Sequence, residues 1–214
     1  MKKIHIILIV VFAIILIAGA LTYFFFFKPK PVSQQDLSAW QTYRNSTYGI
    51  SVKYPADYIF YNGQGQSFVM DEFFVGIGKP LFTIELPENS YPGTNYYGAF
   101  FMLSVGQEEG SAANCNKSQR SGTTDIVDLT GTQNINGINF FLGEADGATT
   151  EASVQTKIYH TVSNNICYEA TLTIVAGNLD NNLQSTAKKF NEEDVWNKLK
   201  DVLGTTSFNN IYNN

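Results

Sequence analysis

The chain offers few residue types that do chemistry, and they come in pairs: two histidines, His5 and His160, and two cysteines, Cys115 and Cys167. His5 stands at the edge of an apolar run, so any two-histidine metal site or histidine-dependent acid–base pair would rest on His160 alone. His160 shares the parity of Ile158 and Val162, apolar neighbours two positions to either side, and reads as a core or edge imidazole satisfied by its surroundings. Both cysteines lie beyond the apolar N-terminal run. In an exported domain such a pair is expected to be bridged, and a Cys115–Cys167 disulfide would close a loop of about fifty residues, worth about 4 kcal/mol in loop-closure entropy. The other reading is two free thiols, one of them buried. No G-x-S-x-G elbow, Walker loop, H-E-x-x-H or C-x-x-C occurs, which removes the hydrolase, nucleotide, zinc and dithiol mechanisms that spacing alone can announce. No catalytic residue, cofactor or metal ligand is therefore assigned.

Two other stretches could touch a ligand. Tyr91-Pro92-Gly93-Thr94-Asn95-Tyr96-Tyr97 places aromatics on a loop, and Tyr91, Tyr96 and Tyr97 form the candidate binding surface, suited to stacking on sugars, gripping a partner or touching the bilayer. Packing against the domain's own body is the competing use of those rings. Glu144–Glu151 offers oxygens but lacks the alternating acidic register of a calcium loop, and reads as a solvated loop. Asn45-Ser46-Thr47 and Asn116-Lys117-Ser118 match glycosylation acceptors, a pattern common by chance.

The elements that must position these residues are mostly strands. Gly49–Tyr54 alternates apolar and polar residues and stops at Pro55. Further strands are expected at Ser67–Met70, Leu81–Leu86 and Ala99–Val105, separated by Gly, Pro and Asn clusters, with Gly63-Gln64-Gly65 and Gly76-Ile77-Gly78 as turns. Asn136-Gly137 between two isoleucines is a type I′ hairpin signal, because both residues tolerate positive φ. A second hairpin is expected around Asn164-Asn165, since Val154, Ile158 and Val162 and then Ile166, Tyr168, Ala170, Leu172 and Ile174 all fall at even positions and suggest one buried face. Cys167 would lie opposite that face, where the polar stretch Glu108–Ser121 carrying Cys115 could fold over it. Near the end, Asn191 can cap a helix whose first turn is Glu192-Glu193-Asp194, with Val195, Leu199, Val202 and Leu203 on one side and Gly204 as its stop. A short strand, Ser207–Tyr212, could close the sheet.

The N-terminus is of a different kind. Residues 4–27 carry no charge apart from His5, and about 24 residues in helical form reach about 36 Å, enough to cross a bilayer. Cleavage after Ala18-Gly19-Ala20 is the rival reading, but the apolar run continues through four phenylalanines beyond it, so a retained anchor is expected. Residues 1–3 then form a cytoplasmic stub, 28–39 a stiff spacer opened by Lys28-Pro29-Lys30-Pro31, and 40–214 an extracytoplasmic domain. Lysines flank the run on both sides, so orientation rests on the short stub and on the cysteines. Lys2, Lys3, Lys28 and Lys30 account for four of 14 basic residues; beyond Lys30, ten basic residues face 19 acidic ones, net −9. A domain so charged repels a phosphate backbone, and no nucleic-acid partner is expected.

Trp40-Gln41-Thr42-Tyr43 followed by Tyr48-Gly49-Ile50-Ser51-Val52-Lys53-Tyr54-Pro55 resembles the opening of PsbP-like domains, found in bacterial surface proteins and in the extrinsic photosystem subunit that names the family. Phe190, the Val195–Leu203 helix and Thr205-Thr206-Ser207-Phe208 are similar to that family's final helix and strand. The resemblance covers 40–212 in order of elements, with recognisable residues at its two ends. It implies an α+β fold, an antiparallel sheet flanked by helices as an α/β/α sandwich, here behind one N-terminal transmembrane helix. It implies little about activity, because one fold hosts unrelated functions.

Anchor, spacer and the lack of assembled chemistry together lead to the expectation of a non-enzymatic interaction or accessory domain at the cell membrane. Its expected contacts are the bilayer, through the N-terminal helix, and an envelope protein. A small-ligand or glycan-binding module using Tyr91–Tyr97 is the alternative.

Overall fold

The computed structural model describes residues 5, 37–63, 78–106, 111–119, 126–179 and 187–209. The chain divides into two compact units, Met1–Asp36 and Leu37–Asn214. Apart from His5, the expected anchor at 4–27 lies outside the described residues, as do the spacer up to Asp36 and the expected strand Ser67–Met70. Among the described residues no helix is long and apolar enough to cross a membrane.

The second unit is built on antiparallel strands. β1 (Trp40–Asn45), β2 (Ile50–Pro55), β3 (Ile59–Asn62), β4 (Gly78–Glu85), β5 (Tyr96–Gly106), β6 (Lys117–Gln119), β7 (Ile126–Asp128), β8 (Gly131–Ile135), β9 (Ile138–Ala148), β10 (Ala152–Ser163) and β11 (Ile166–Gly177) precede helix α1 (Glu192–Gly204) and β12 (Ser207–Phe208). Seven of them form one sheet in the order β3-β4-β5-β11-β10-β9-β8; β1-β2-β12 form a second sheet and β6-β7 a third. Of the closing strand expected at Ser207–Tyr212, Ser207–Phe208 is strand and pairs with β2 rather than with the large sheet, while residues 210–212 lie outside the described residues.

Local signals explain the turns. Asn136 and Gly137 hold φ of 49° and 84° between β8 and β9, and Asn164 and Asn165 hold 50° and 58° between β10 and β11, the left-handed geometry that two-residue hairpins require. Helix α1 starts where expected: the Asn191 side chain accepts from the Asp194 amide at 3.2 Å, and three acids occupy the positive end of the helix. Its apolar stripe, Val195, Leu199, Val202 and Leu203, is buried.

That stripe joins Ile50, Val52 and Tyr54 of β2 in a core built on one face of the large sheet, against Phe82, Ile84, Phe101, Leu103, Tyr168, Leu172 and Ile174. Helix α1 and the small sheet thus share a face, tied by Thr205, whose hydroxyl accepts from the Lys53 amide at 2.8 Å. The fold is mostly antiparallel sheet with one helix among the described residues of this unit, where helices on both faces were expected. A smaller cluster of Phe100, Met102 and Val175 lies on the other face.

The expected single buried face of the second hairpin is corrected by its register. A two-residue turn pairs Ser163 with Ile166, so every even residue of β10 stands opposite an odd residue of β11. Residues paired across antiparallel strands share a face. Val154, Ile158 and Val162 therefore point away from Tyr168, Ala170 and Leu172, and share the second face with Cys167 and Glu169. Glu144–Glu151, expected as a solvated loop, is instead strand β9 as far as Ala148, paired with β10, followed by a tight turn.

Candidate functional site

The same register brings the chain's chemistry together. His160 pairs with Glu169, and Val162 with Cys167, on neighbouring strands and on one face. Cys115 arrives from the other side, at the end of a 3-10 turn, Ser111–Asn114, that lies against β11. Cys115 and Cys167 form a disulfide with Cα atoms 5.5 Å apart, inside the usual range, so the pairing expected from the sequence is present and ties the turn that carries Cys115 to β11; the ends of the expected Glu108–Ser121 cover lie outside the described residues.

Both ring nitrogens of His160 are engaged. Nδ1 lies 2.9 Å from the backbone oxygen of Cys115, and a carbonyl only accepts, so Nδ1 carries a proton and donates. Nε2 lies 2.6 Å from Glu169 Oε2, and one proton is shared across that contact. Written as imidazolium and carboxylate or as neutral imidazole and carboxylic acid, the pair has no net charge, the arrangement that a low-dielectric interior tolerates. Both side chains are 0% exposed. Burial raises the Glu169 carboxyl above the usual range, and the His160 contact partly opposes it. Glu169 Oε1 has no hydrogen-bond partner, and neither has the hydroxyl of Ser104, the residue opposite Glu169 on β5.

A histidine oriented by a carboxylate is half of a familiar general-base arrangement. Here neither nitrogen faces an opening, and a substrate atom reaches the ring only by displacing Glu169 or the Cys115 carbonyl. His160 is the satisfied, buried imidazole expected from its parity. The sequence reading missed its partner Glu169, although the two-residue turn pairs positions 160 and 169 by counting alone.

The three candidate tyrosines separate. Tyr96 is 7% exposed and packs at 4.9 Å from Tyr91 and 5.4 Å from Phe190, measured between ring centres. The Tyr91 hydroxyl donates to Asp194 Oδ2 at 2.6 Å and accepts from Lys198 Nζ at 2.9 Å, which pins the loop to the first turns of α1. Only Tyr97, next in the β5 alternation, faces outward, 49% exposed. The expected aromatic surface is reduced to one ring, because the helix supplies partners for the other two.

An open cleft of about 420 Å³ lies where β8, β9 and β10 meet α1, lined by Gln133, Leu142, Glu144, Lys157, Tyr159 and Lys200 among others. Lys157 Nζ sits 3.9 Å from Glu144 and 4.7 Å above the Trp196 ring. Ion pairing and the ring's negative face hold that ammonium in place. The cleft mixes charges and brings no nucleophile next to a base.

No family profile matches the chain, and no curated protein matches it. Solved structures do. One is a protein of Bacteroides thetaiotaomicron, at TM-score 0.44 and 10% identity over 80% of this chain and 49% of that one. This chain spans about half the length of that protein. LpqN of Mycobacterium tuberculosis, described as involved in cell envelope biogenesis, matches at TM-score 0.38 and 11% identity over 75% of this chain and 83% of that one. A cyanobacterial PsbP from Synechocystis matches at TM-score 0.38 and 9% identity, over 85% of this chain and 98% of that one.

Proposed function

We propose that residues 40–214 are a non-enzymatic interaction or accessory domain of PsbP-like type, held outside the cell membrane by an anchor at 4–27 and a spacer at 28–39. The observation that carries this reading is the Cys115–Cys167 disulfide, a bond that persists in oxidising compartments and is rare in the cytosol. The uncharged run ahead of the domain supplies the means of attachment. The one histidine of the domain is spent on structure, bonded on both nitrogens and closed to solvent, which favours recognition over catalysis. The expected partner is a protein of the same envelope.

Protease added to intact spheroplasts tests the placement. The domain should be digested and a short membrane-bound stub left behind. A full-length protected chain, or a soluble mature protein starting at Leu21, would overturn it. Cross-linked pull-down with the full chain from its own envelope then tests for the protein partner.

A further inference from the structure

The sulfurs of Cys115 and Cys167 and a ring nitrogen of His160 lie within 4.8 Å of one another, all three residues buried. Thiolates and imidazole are the ligands Zn²⁺ prefers, and in a tetrahedral site with two sulfurs and one nitrogen the donor atoms stand about 3.4–3.8 Å apart. The two sulfurs, bonded to each other in this structure, have to separate to that distance once the disulfide is reduced, while the ring nitrogen lies within 4.8 Å of both. Nε2 of His160 is held by Glu169 at 2.6 Å, and Nδ1, the nitrogen on the Cys115 side, would ligate by giving up its hydrogen bond to the Cys115 carbonyl at 2.9 Å. A histidine that binds a metal through one nitrogen while a carboxylate holds the other is a common supporting arrangement around zinc. Glu169 Oε1 is buried with no partner, an acceptor whose negative charge a nearby cation would offset.

We infer that, with the disulfide reduced, Cys115, Cys167 and His160 supply three ligands of a zinc site, oriented by Glu169 and completed by a water, so that the second face of the sheet is locked by a disulfide in one redox state and by a metal in the other. The reductant is a dithiol. It breaks the S–S bond by exchange, leaves as its own cyclic disulfide, and delivers two electrons and two protons to the two protein sulfurs. Zinc then displaces both thiol protons and the Nδ1 proton, three in all, while the proton between His160 and Glu169 settles on Nε2. The assembly passes from neutral to one net negative charge, spread over the two sulfurs and Glu169. Burial and soft sulfur ligands select Zn²⁺ over Mg²⁺ or Ca²⁺.

The test uses the full chain, reduced with a dithiol and exchanged into metal-free buffer, with Co²⁺ as a spectroscopic stand-in for Zn²⁺. Binding is expected at one ion per chain, with visible bands of tetrahedral cobalt and a sulfur-to-cobalt transition in the near ultraviolet. The unreduced chain should stay colourless. Glu169→Gln should weaken binding by about 10–100-fold, and His160→Gln should weaken it by more than that. Near-ultraviolet circular dichroism reports the fold throughout. If the reduced chain unfolds, added Zn²⁺ should restore the native signal, and failure to restore it overturns the proposal. A folded, reduced chain without cobalt bands overturns it as well. Bands that neither variant changes would mean two thiols binding unaided, which also removes the site.

Discussion

His160 and Glu169 face each other across the β10–β11 register with Nε2 and Oε2 2.6 Å apart, neither exposed to solvent, and the Cys115–Cys167 bridge lies beside them. The contact connects sequence to fold directly. Asn164 and Asn165 make the turn, the turn sets which residues pair, and the pairing puts an acid beside the domain's one histidine. Cys115, just past the 3-10 turn, then supplies the carbonyl for Nδ1.

Removing one member of this pair should cost far more than changing its charge state. Glu169→Ala leaves Nε2 buried without a partner, and His160→Ala leaves a buried carboxyl; each should destabilise the domain by about 3–5 kcal/mol. Glu169→Gln keeps the shape, and its amide N–H can donate to Nε2, so it should cost less than half as much. Urea denaturation of the three variants decides it; equal losses for Gln and Ala would show that the hydrogen bond is not what matters.

Cutting the bridge acts elsewhere in the free-energy balance. The two cysteines are 52 residues apart, and releasing that loop frees the unfolded chain. The Cys115→Ser, Cys167→Ser double variant should lose about 2–4 kcal/mol in metal-free buffer. Thermal melts with and without the bridge measure it, and a loss under about 1 kcal/mol would mean that strain in the folded state cancels the constraint.

What could be read from the sequence was what is local. The strand before Pro55, the Asn136-Gly137 turn and the Asn191 cap each depend on a few adjacent residues, and each is present. The facing of the second hairpin was misjudged because β11 is buried on both sides, from Cys167 through Val175, so apolar parity there does not single out a face. Counting across the two-residue turn would have settled it, and would have paired His160 with Glu169. Tyr91 is a different case. Its partners Asp194 and Lys198 are more than a hundred positions away, and nothing near Tyr91 announces them.

That distant contact gives a pH-dependent prediction. The Tyr91 hydroxyl, and after it Lys198, hold the Asp194 carboxyl below its usual range. With the folded-state value depressed, the stability it contributes is fully present above about pH 3.8, the ordinary value, and is lost as pH falls through the folded one. Tyr91→Phe should move the Asp194 titration upward and shrink this acid-side loss. The carboxyl carbon shift followed by NMR from pH 6 to pH 2 reads it, and an unmoved titration in the variant would show that Lys198 alone sets the value.

Helix α1 should be the most sensitive element to a misplaced charge. Leu199 is 0% exposed in the core shared by the helix, β2 and the large sheet. Leu199→Asp would bury an unpaired carboxylate there and should destabilise the domain by several kcal/mol, whereas Lys200→Asp, one position away at the rim of the cleft, should change it by about 0.5 kcal/mol or less. A Leu199→Asp melt within a degree or two of the parent would mean that the helix is not docked through this face.

The turn that sets the register is itself open to improvement. Asn165 holds φ of 58°, in the left-handed region, at the second position of a two-residue hairpin where glycine is favoured, as Gly137 is in the neighbouring hairpin. Asn165→Gly should therefore be neutral or stabilising by a few tenths of a kcal/mol. Asn165→Val has to adopt a conformation that branching at Cβ strongly disfavours, and should lose about 1–2 kcal/mol. Asn164 stays in place in both variants, because its side chain also donates to the Asn209 carbonyl at 3.2 Å and so links the hairpin to the end of β12. The register makes a further demand on the Val variant. If the turn relaxes by one residue, Cys167 rotates to the helix face and away from Cys115, so the loss of stability should come with slower disulfide formation during oxidative refolding. Two variants that melt alike and oxidise at the same rate would show that β10–β11 pairing is set by its strands and not by its turn.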